Sequence, residues 1–196
     1  MLHIVYGGSA SGKSSYAESF AMSLQGEGRL LYIATMYPYK WNTTEIDPET
    51  MQRIERHRAM RADKGFDTVE CYRHVEHIVA KRQDVLLLEC MSNLLANEMY
   101  LEPDSNAGSD MAETMSPVSN KIVQALIDLS TRVQELVIVT NDVFSDGGSL
   151  TYDESTREYV KNLAEINCAL AREAATVTGV VCGIPVIVKK NHPTGK

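Results

Sequence analysis

Residues 7–14 read Gly7-Gly8-Ser9-Ala10-Ser11-Gly12-Lys13-Ser14, directly after the apolar run Leu2-His3-Ile4-Val5-Tyr6. A glycine, four residues and then Gly-Lys-Ser is the complete phosphate-binding loop pattern. It prescribes its surroundings, a buried strand before it and a helix after it. The glycines allow backbone angles that turn successive amide N–H groups inward, forming a nest for phosphate oxygens. Lys13 offers a positive charge to β- and γ-phosphates, and the Ser14 hydroxyl is suited to ligate Mg²⁺. Ser14 to Leu24 is the expected helix, its N-terminus facing the anion. Gly7, Gly8, Ser9, Ala10, Ser11, Gly12, Lys13 and Ser14 are therefore the expected nucleoside triphosphate cradle, with Lys13 also a catalytic candidate.

Strand and helix signals alternate through the rest of the chain. Arg29 to Ala34 is a short apolar run expected as a second buried strand. Tyr37 to Pro48 is polar and aromatic with two prolines, an irregular excursion. Asp47 is placed to cap a charged helix that starts at Pro48 and runs to about Arg61. Cys71 to Arg82 is expected as an amphipathic helix, Asp84 to Glu89 as a central strand, and Pro103 to Met111 as a loop. Val118 to Leu129 has helical spacing, Glu135 to Thr140 is strand-like, and Thr156 to Val177 is a long helical pattern. Val180 to Val188 supplies one or two closing strands, with Pro185 favouring an edge or a bend. The alternation predicts an α/β layer fold with a mostly parallel sheet; taken with the phosphate-binding loop and the closing strands, the expected class is a three-layer, RecA-like P-loop NTPase fold with an antiparallel edge near the C-terminus. Residues 1–190 are expected to form a single nucleotide-binding domain, with 191–196 a tail. Ligands of such sheets bind beyond the strand C-termini.

Composition narrows the functional classes. The chain has 196 residues and a formal net charge of −7, which argues against a broad nucleic-acid-binding face. No apolar run approaches the roughly 20 residues of a membrane-spanning helix, and no charged leader precedes the first strand. Cys71, Cys90, Cys168 and Cys182 are scattered, without the close pairing of a zinc site. Cys90 and Cys182 adjoin apolar runs and are expected as buried thiols; a reducing, cytoplasmic setting follows.

Three segments could converge on the loop. The strand ending at Glu89 places a carboxylate where it could help hold Mg²⁺ beside Ser14; it could equally accept a hydrogen bond from a ribose or base, or be solvated. Thr140-Asn141-Asp142 ends another strand and could read a substrate, orient a nucleophile, or simply make a turn or cap. Met51 to Arg61 carries Arg53, Arg56, Arg58 and Arg61 around His57. On a helix Arg53, His57 and Arg61 share a face, with Arg58 beside His57. Guanidinium forks match phosphate oxygens, and a neutral imidazole can attack phosphorus. The alternative is a solvated helix balanced by Glu55 and Asp63. His74 and His77 are expected on a surface.

Taken in order, these pieces resemble the bifunctional adenosylcobinamide kinase / adenosylcobinamide-phosphate guanylyltransferase family of cobalamin biosynthesis. The carrying residues are the loop at Gly7–Ser14, Leu31 to Thr35, Arg53 to Arg61, Phe66, Thr68, Glu70, Leu87 to Cys90, Val139 to Val143, and Gly183 to Pro185. The resemblance implies phosphorylation of adenosylcobinamide by ATP or GTP, then transfer of GMP from GTP through a covalent histidine intermediate on His57 to adenosylcobinamide phosphate. It implies Mg²⁺, and nucleotide contacts at the loop, Thr35, Arg58, Ala59, Met60, Arg61, Glu70 and Glu89, with Ser14 and Glu89 as metal ligands. It also implies a homo-oligomer, a trimer, with no nucleic-acid partner. The sequence departs from the family pattern at Phe66 (usually Trp), at Asp142 and Phe144 (usually Glu and Gly), at Ser145–Ser149, and at Tyr37–Trp41, which lengthens the loop before the histidine helix. Other readings of the same residues are a monofunctional P-loop kinase for a small hydroxyl substrate, or a GTP-dependent regulatory protein. The latter lacks an Asn-Lys-x-Asp sequence to read guanine.

Overall fold

The computed structural model describes residues 1–41, 43–101, 115–142 and 152–191. Its centre is a seven-stranded sheet in the order β3-β2-β4-β5-β1-β6-β7. The strands are β1 (Leu2–Gly7), β2 (Leu30–Ala34), β3 (Phe66–Glu70), β4 (Val85–Glu89), β5 (Glu135–Asn141), β6 (Thr176–Val181) and β7 (Ile184–Lys190). All neighbouring pairs are parallel except β6 with β7. The helices are α1 (Lys13–Leu24), α2 (Pro48–Met60), α3 (Met91–Tyr100), α4 (Pro117–Arg132) and α5 (Glu154–Glu173). The expected α/β architecture with an antiparallel C-terminal edge is the one found.

The apolar runs of β2, β4 and β5 are near-continuous because both faces of these strands are covered. Leu31, Ile33, Leu86, Leu88, Leu136 and Ile138 pack with α3, α4 and α5. The alternate residues Leu30, Tyr32, Val85, Leu87, Val137 and Val139 pack with Ala17 and Ala21 of α1. Period-two alternation thus builds two cores from one sheet. Between them β1 lies flanked by β5 and β6, so the loop that follows it emerges at the middle of the sheet's carboxyl edge. There the chain departs from β1 toward β2 on one side and from β5 toward β6 on the other, the switch point where open α/β sheets hold ligands.

Helix α2 begins as its sequence dictates. The Asp47 side chain accepts from Thr50 N at 3.3 Å and Pro48 occupies the first turn. None of its residues is buried, so the histidine helix lies outside the two cores. The excursion before it is irregular, closed by an isolated antiparallel bridge between Tyr39 and Ile46.

The structure corrects four local expectations. Cys71 to Arg82 is not an amphipathic helix: only a single 3₁₀ turn at Val75–His77 forms. His74 sits at φ 57°, left-handed backbone that an α-helix of L-residues cannot pass through. Val75 and Ile78 still reach the core, and that is why the segment is apolar. The preceding strand β3 is an edge with no buried residue, and it lacks the apolar run by which central strands announce themselves. The helix expected to reach Val177 ends at Glu173, and the β-branched Thr176 and Val177 open β6. Cys182 is exposed on the β6–β7 turn at φ 51°, and Cys90 is only partly buried. Two closing strands form, with Pro185 on the edge strand β7 as its chemistry requires. Val143, Phe144, Ser145–Ser149, Pro103–Met111 and residues 192–196 lie outside the described residues.

Candidate active site

The loop after β1 is braced by the far edge of the sheet. Gly12 has φ 89°, a left-handed conformation that favours glycine. A Cβ on Gly7 would lie 2.6 Å from the carbonyl oxygen of Val180, and one on Gly12 would lie 3.2 Å from Gly183 Cα. Gly183 N donates to Ser11 O at 2.8 Å. The β6–β7 turn therefore sets the loop's shape, a role that the glycines of both segments make possible. Lys13 Nζ donates to Gly8 O at 3.0 Å, holding its charge over the loop, and the side chain is nearly buried. Lys13→Ala is expected to weaken GTP binding about 10- to 100-fold, the loss of a charge-assisted hydrogen bond. Unchanged affinity in titration calorimetry would remove the loop from nucleotide binding.

Glu89 closes the other side. Its Oε1 accepts from Ser14 Oγ at 2.8 Å, while Oε2 is shielded from solvent and has no hydrogen-bond partner among the described residues. Burial pushes its carboxyl up to about 7, against the pull of the Ser14 hydroxyl and the Lys13 charge. A hydroxyl and an unsatisfied carboxylate oxygen side by side are a donor set for a hard divalent cation. Among the described residues no group of three or more His, Cys, Asp or Glu could hold a metal. The Ser14–Glu89 pair is of the kind that Mg²⁺ uses, one or two protein ligands with phosphates and water completing the shell.

Thr35 follows β2 and faces the end of β4. It is fully buried, and its hydroxyl lies 2.9 Å from both Glu89 O and Cys90 O while accepting from Cys90 N at 2.7 Å. It holds the end of β4, and so Glu89, in position. Thr140 and Asn141 also bond inward, to Asn167 Oδ1 and Ser92 Oγ at 2.8 Å each. Asp142 N donates to Gly7 O at 3.2 Å.

His57 is half-buried on α2. Its pKa is lowered first by desolvation, then by the charges of Arg56 and Arg61, with Glu18 opposing. This shift favours the neutral imidazole, the form that can act as a nucleophile. The arginines assist that shift but burial leads it. Arg61 caps α2 and is buried, its guanidinium 3.6 Å from the centre of the Tyr32 ring. Arg58 pairs with Glu70, which also accepts from Tyr72 OH at 2.9 Å. Arg53, Ala59 and Met60 are exposed. A cleft of about 160 Å³ brings together Arg58, Arg61 and Glu70 with Ala34, Met36 and Tyr39. Sequence reasoning missed Glu18, which pairs with Lys64 and ties α1 to the turn after α2. The two are 46 residues apart, and no local pattern joins them.

The sequence pattern of the cobinamide kinase / cobinamide phosphate guanyltransferase family matches residues 3–188, nearly the whole chain. The chain belongs to this family. It is an enzyme, a kinase and guanyltransferase in general terms, that handles cobinamide and nucleotides. None of the curated proteins matches it. Among solved structures it is similar to the flagellar accessory protein FlaH from Methanocaldococcus jannaschii, at 14% identity and TM-score 0.49, over 100% of this chain and 80% of that one. It is also similar to the P4 protein from bacteriophage phi6 in complex with ADP, at 12% identity and TM-score 0.41, over 94% of this chain and 53% of that one. No helix among the described residues is long and apolar enough to cross a membrane.

Proposed function

We propose that this member phosphorylates adenosylcobinamide with ATP or GTP and then links GMP to the product through His57. In the first reaction the aminopropanol hydroxyl attacks the γ-phosphorus, the bond to the nucleoside diphosphate breaks, and the hydroxyl proton is lost. In the second, a nitrogen of His57 attacks the α-phosphorus of GTP and pyrophosphate leaves. An oxygen of adenosylcobinamide phosphate then displaces the histidine, giving adenosylcobinamide-GDP. Splitting one transfer into two displacements is covalent catalysis.

The observation that carries the reading is His57, half-buried on α2 and within the electrostatic reach of Arg56, Arg61 and Arg53, next in sequence to the Arg58 that pairs with Glu70, on a chain that also holds the full phosphate loop. The loop amides and Lys13 would cradle the triphosphate. Arg58 and Arg61 would stabilise charge on the phosphoryl oxygens, and Glu70 would accept from the nucleoside. Ser14 and Glu89 would hold Mg²⁺, whose chemistry when bound is to neutralise phosphate charge. Residues 1–190 would act as a single domain in the cytoplasm, and as a homo-oligomer. For the last, β7 offers an edge strand with Ile184, Val186, Ile187 and Val188 all at least half exposed.

Incubation with adenosylcobinamide, GTP and Mg²⁺, followed by mass spectrometry, tests the reading. The expected products are adenosylcobinamide phosphate, then adenosylcobinamide-GDP with pyrophosphate. A reaction that stops at the phosphate ester would overturn the transferase half, and no corrinoid product would overturn both.

A further inference from the structure

The excursion between β2 and α2 carries an aromatic cluster that the nucleotide chemistry does not use. Tyr37 lies at the centre, with ring centroids 5.4 Å from Tyr39, 5.4 Å from Tyr72 and 6.5 Å from Trp41. Trp41 continues the row to Tyr100 at the end of α3, 6.1 Å away and edge to face. Trp41 is 52% exposed, and Tyr39 and Tyr100 are each 38% exposed. Ring-to-ring contact of this kind fixes the side chains, yet the outer faces stay in water, where apolar area is left unburied. Five of the chain's 13 aromatic residues stand in this one row.

The row is continuous with the cleft, because Tyr39 and Tyr72 line it together with Arg58, Arg61 and Glu70. The cleft's volume of about 160 Å³ is below the roughly 300–1,000 Å³ of sites that enclose drug-sized ligands. A macrocycle such as the corrin of cobinamide cannot enter it and must lie on an outer surface, with only its phosphate-bearing arm reaching inward. Broad apolar faces are what rigid, exposed tyrosine and tryptophan rings bind with little loss of side-chain entropy.

We propose that the row Tyr37, Tyr39, Trp41 and Tyr100 is the docking ledge for the corrinoid macrocycle. This rests on the function proposed above and assigns its acceptor a surface. The lengthened loop thereby serves acceptor recognition, while the phosphate loop and His57 serve the nucleotide. Trp41 is the chain's only tryptophan; its ring contacts are with Tyr37 and Tyr100 and it is not among the residues lining the cleft, so its change leaves Arg58, Arg61 and Glu70 in place.

The test compares wild type with Trp41→Ala and Trp41→Phe, using adenosylcobinamide as acceptor. The ledge predicts a KM for adenosylcobinamide raised at least 10-fold in Trp41→Ala and largely restored in Trp41→Phe, with the KM for GTP and the labelling of His57 by GTP unchanged. Equilibrium dialysis, read by the visible absorbance of the corrinoid, is expected to show the same loss of binding. An unchanged corrinoid KM in Trp41→Ala overturns the ledge while leaving the enzyme's function standing. So does a change confined to oligomeric mass in sedimentation, which would make the row a contact between copies. A wild type that turns over no corrinoid overturns the function and the ledge together.

Discussion

His57→Ala is expected to abolish GMP transfer, lowering its rate on the order of 10⁵-fold, as removal of a covalent nucleophile does. Phosphorylation of adenosylcobinamide is expected to continue within a few-fold of wild type. The split follows from where the residue sits. His57 belongs to α2, outside both cores, so its truncation removes neither packing nor the loop at Gly7–Ser14. The neighbouring Arg58 and Arg61 remain in the cleft and, on the proposed function, would still bind phosphate. Single-turnover assays of each half-reaction, with product identified by mass, measure the split. Equal losses in both reactions would mean that α2 serves only to bind the triphosphate.

Glu89→Gln is expected to slow phosphoryl transfer and yet to stabilise the fold. The Glu89 carboxyl titrates at about 7 in the folded chain against an ordinary value of 4.5. A raised acid binds its proton more tightly when folded. Its favourable contribution is therefore complete below about pH 4.5 and is lost as pH rises through 7. Above that, the enclosed carboxylate is ionised beside one hydroxyl and with an unpartnered oxygen. Neutral glutamine removes this cost, so in metal-free urea titrations the variant is expected to gain about 2 kcal/mol more at pH 8 than at pH 5. Phosphoryl transfer in the same variant is expected to fall at least about 100-fold through the loss of a metal-binding charge. A stability difference that is the same at both pH values would contradict the burial of this carboxylate. The wild type should also need more Mg²⁺ for activity as pH falls below 7, because proton and cation compete for one group.

What could be read in the sequence was what short spacing encodes. The phosphate loop, the Asp47-Pro48 start of α2 and the apolar strands β4 and β5 are each set by residues within a few positions of one another. The strand β3 escaped notice because an edge strand, paired on one side, needs no apolar run; its Asp67 and Thr68 face water. The segment after it looked helical because Val75 and Ile78 are spaced by three. A left-handed His74 and one 3₁₀ turn place those same two side chains in the core. Within the site, Glu89 beside Ser14 could be expected from the strand-end acid. Arg61 over Tyr32, Glu18 with Lys64 and the Gly183 brace on the loop could not, since each joins residues 29 to 172 positions apart whose meeting depends on strand order. The bonds by which the Thr35 hydroxyl holds the end of β4 are likewise set by the pairing of β2 with β4.

Transfer through His57 requires a covalent histidine-GMP intermediate. It is tested most directly by incubating the protein with Mg²⁺ and GTP labelled at either the α- or the γ-phosphate, then denaturing it and measuring bound label. A histidine carrier requires acid-labile, base-stable label from the α-position alone, located on His57 by peptide mass and absent from His57→Ala. Folded wild-type protein that takes no α-label under conditions where it makes product, or that keeps the label in His57→Ala, would contradict it.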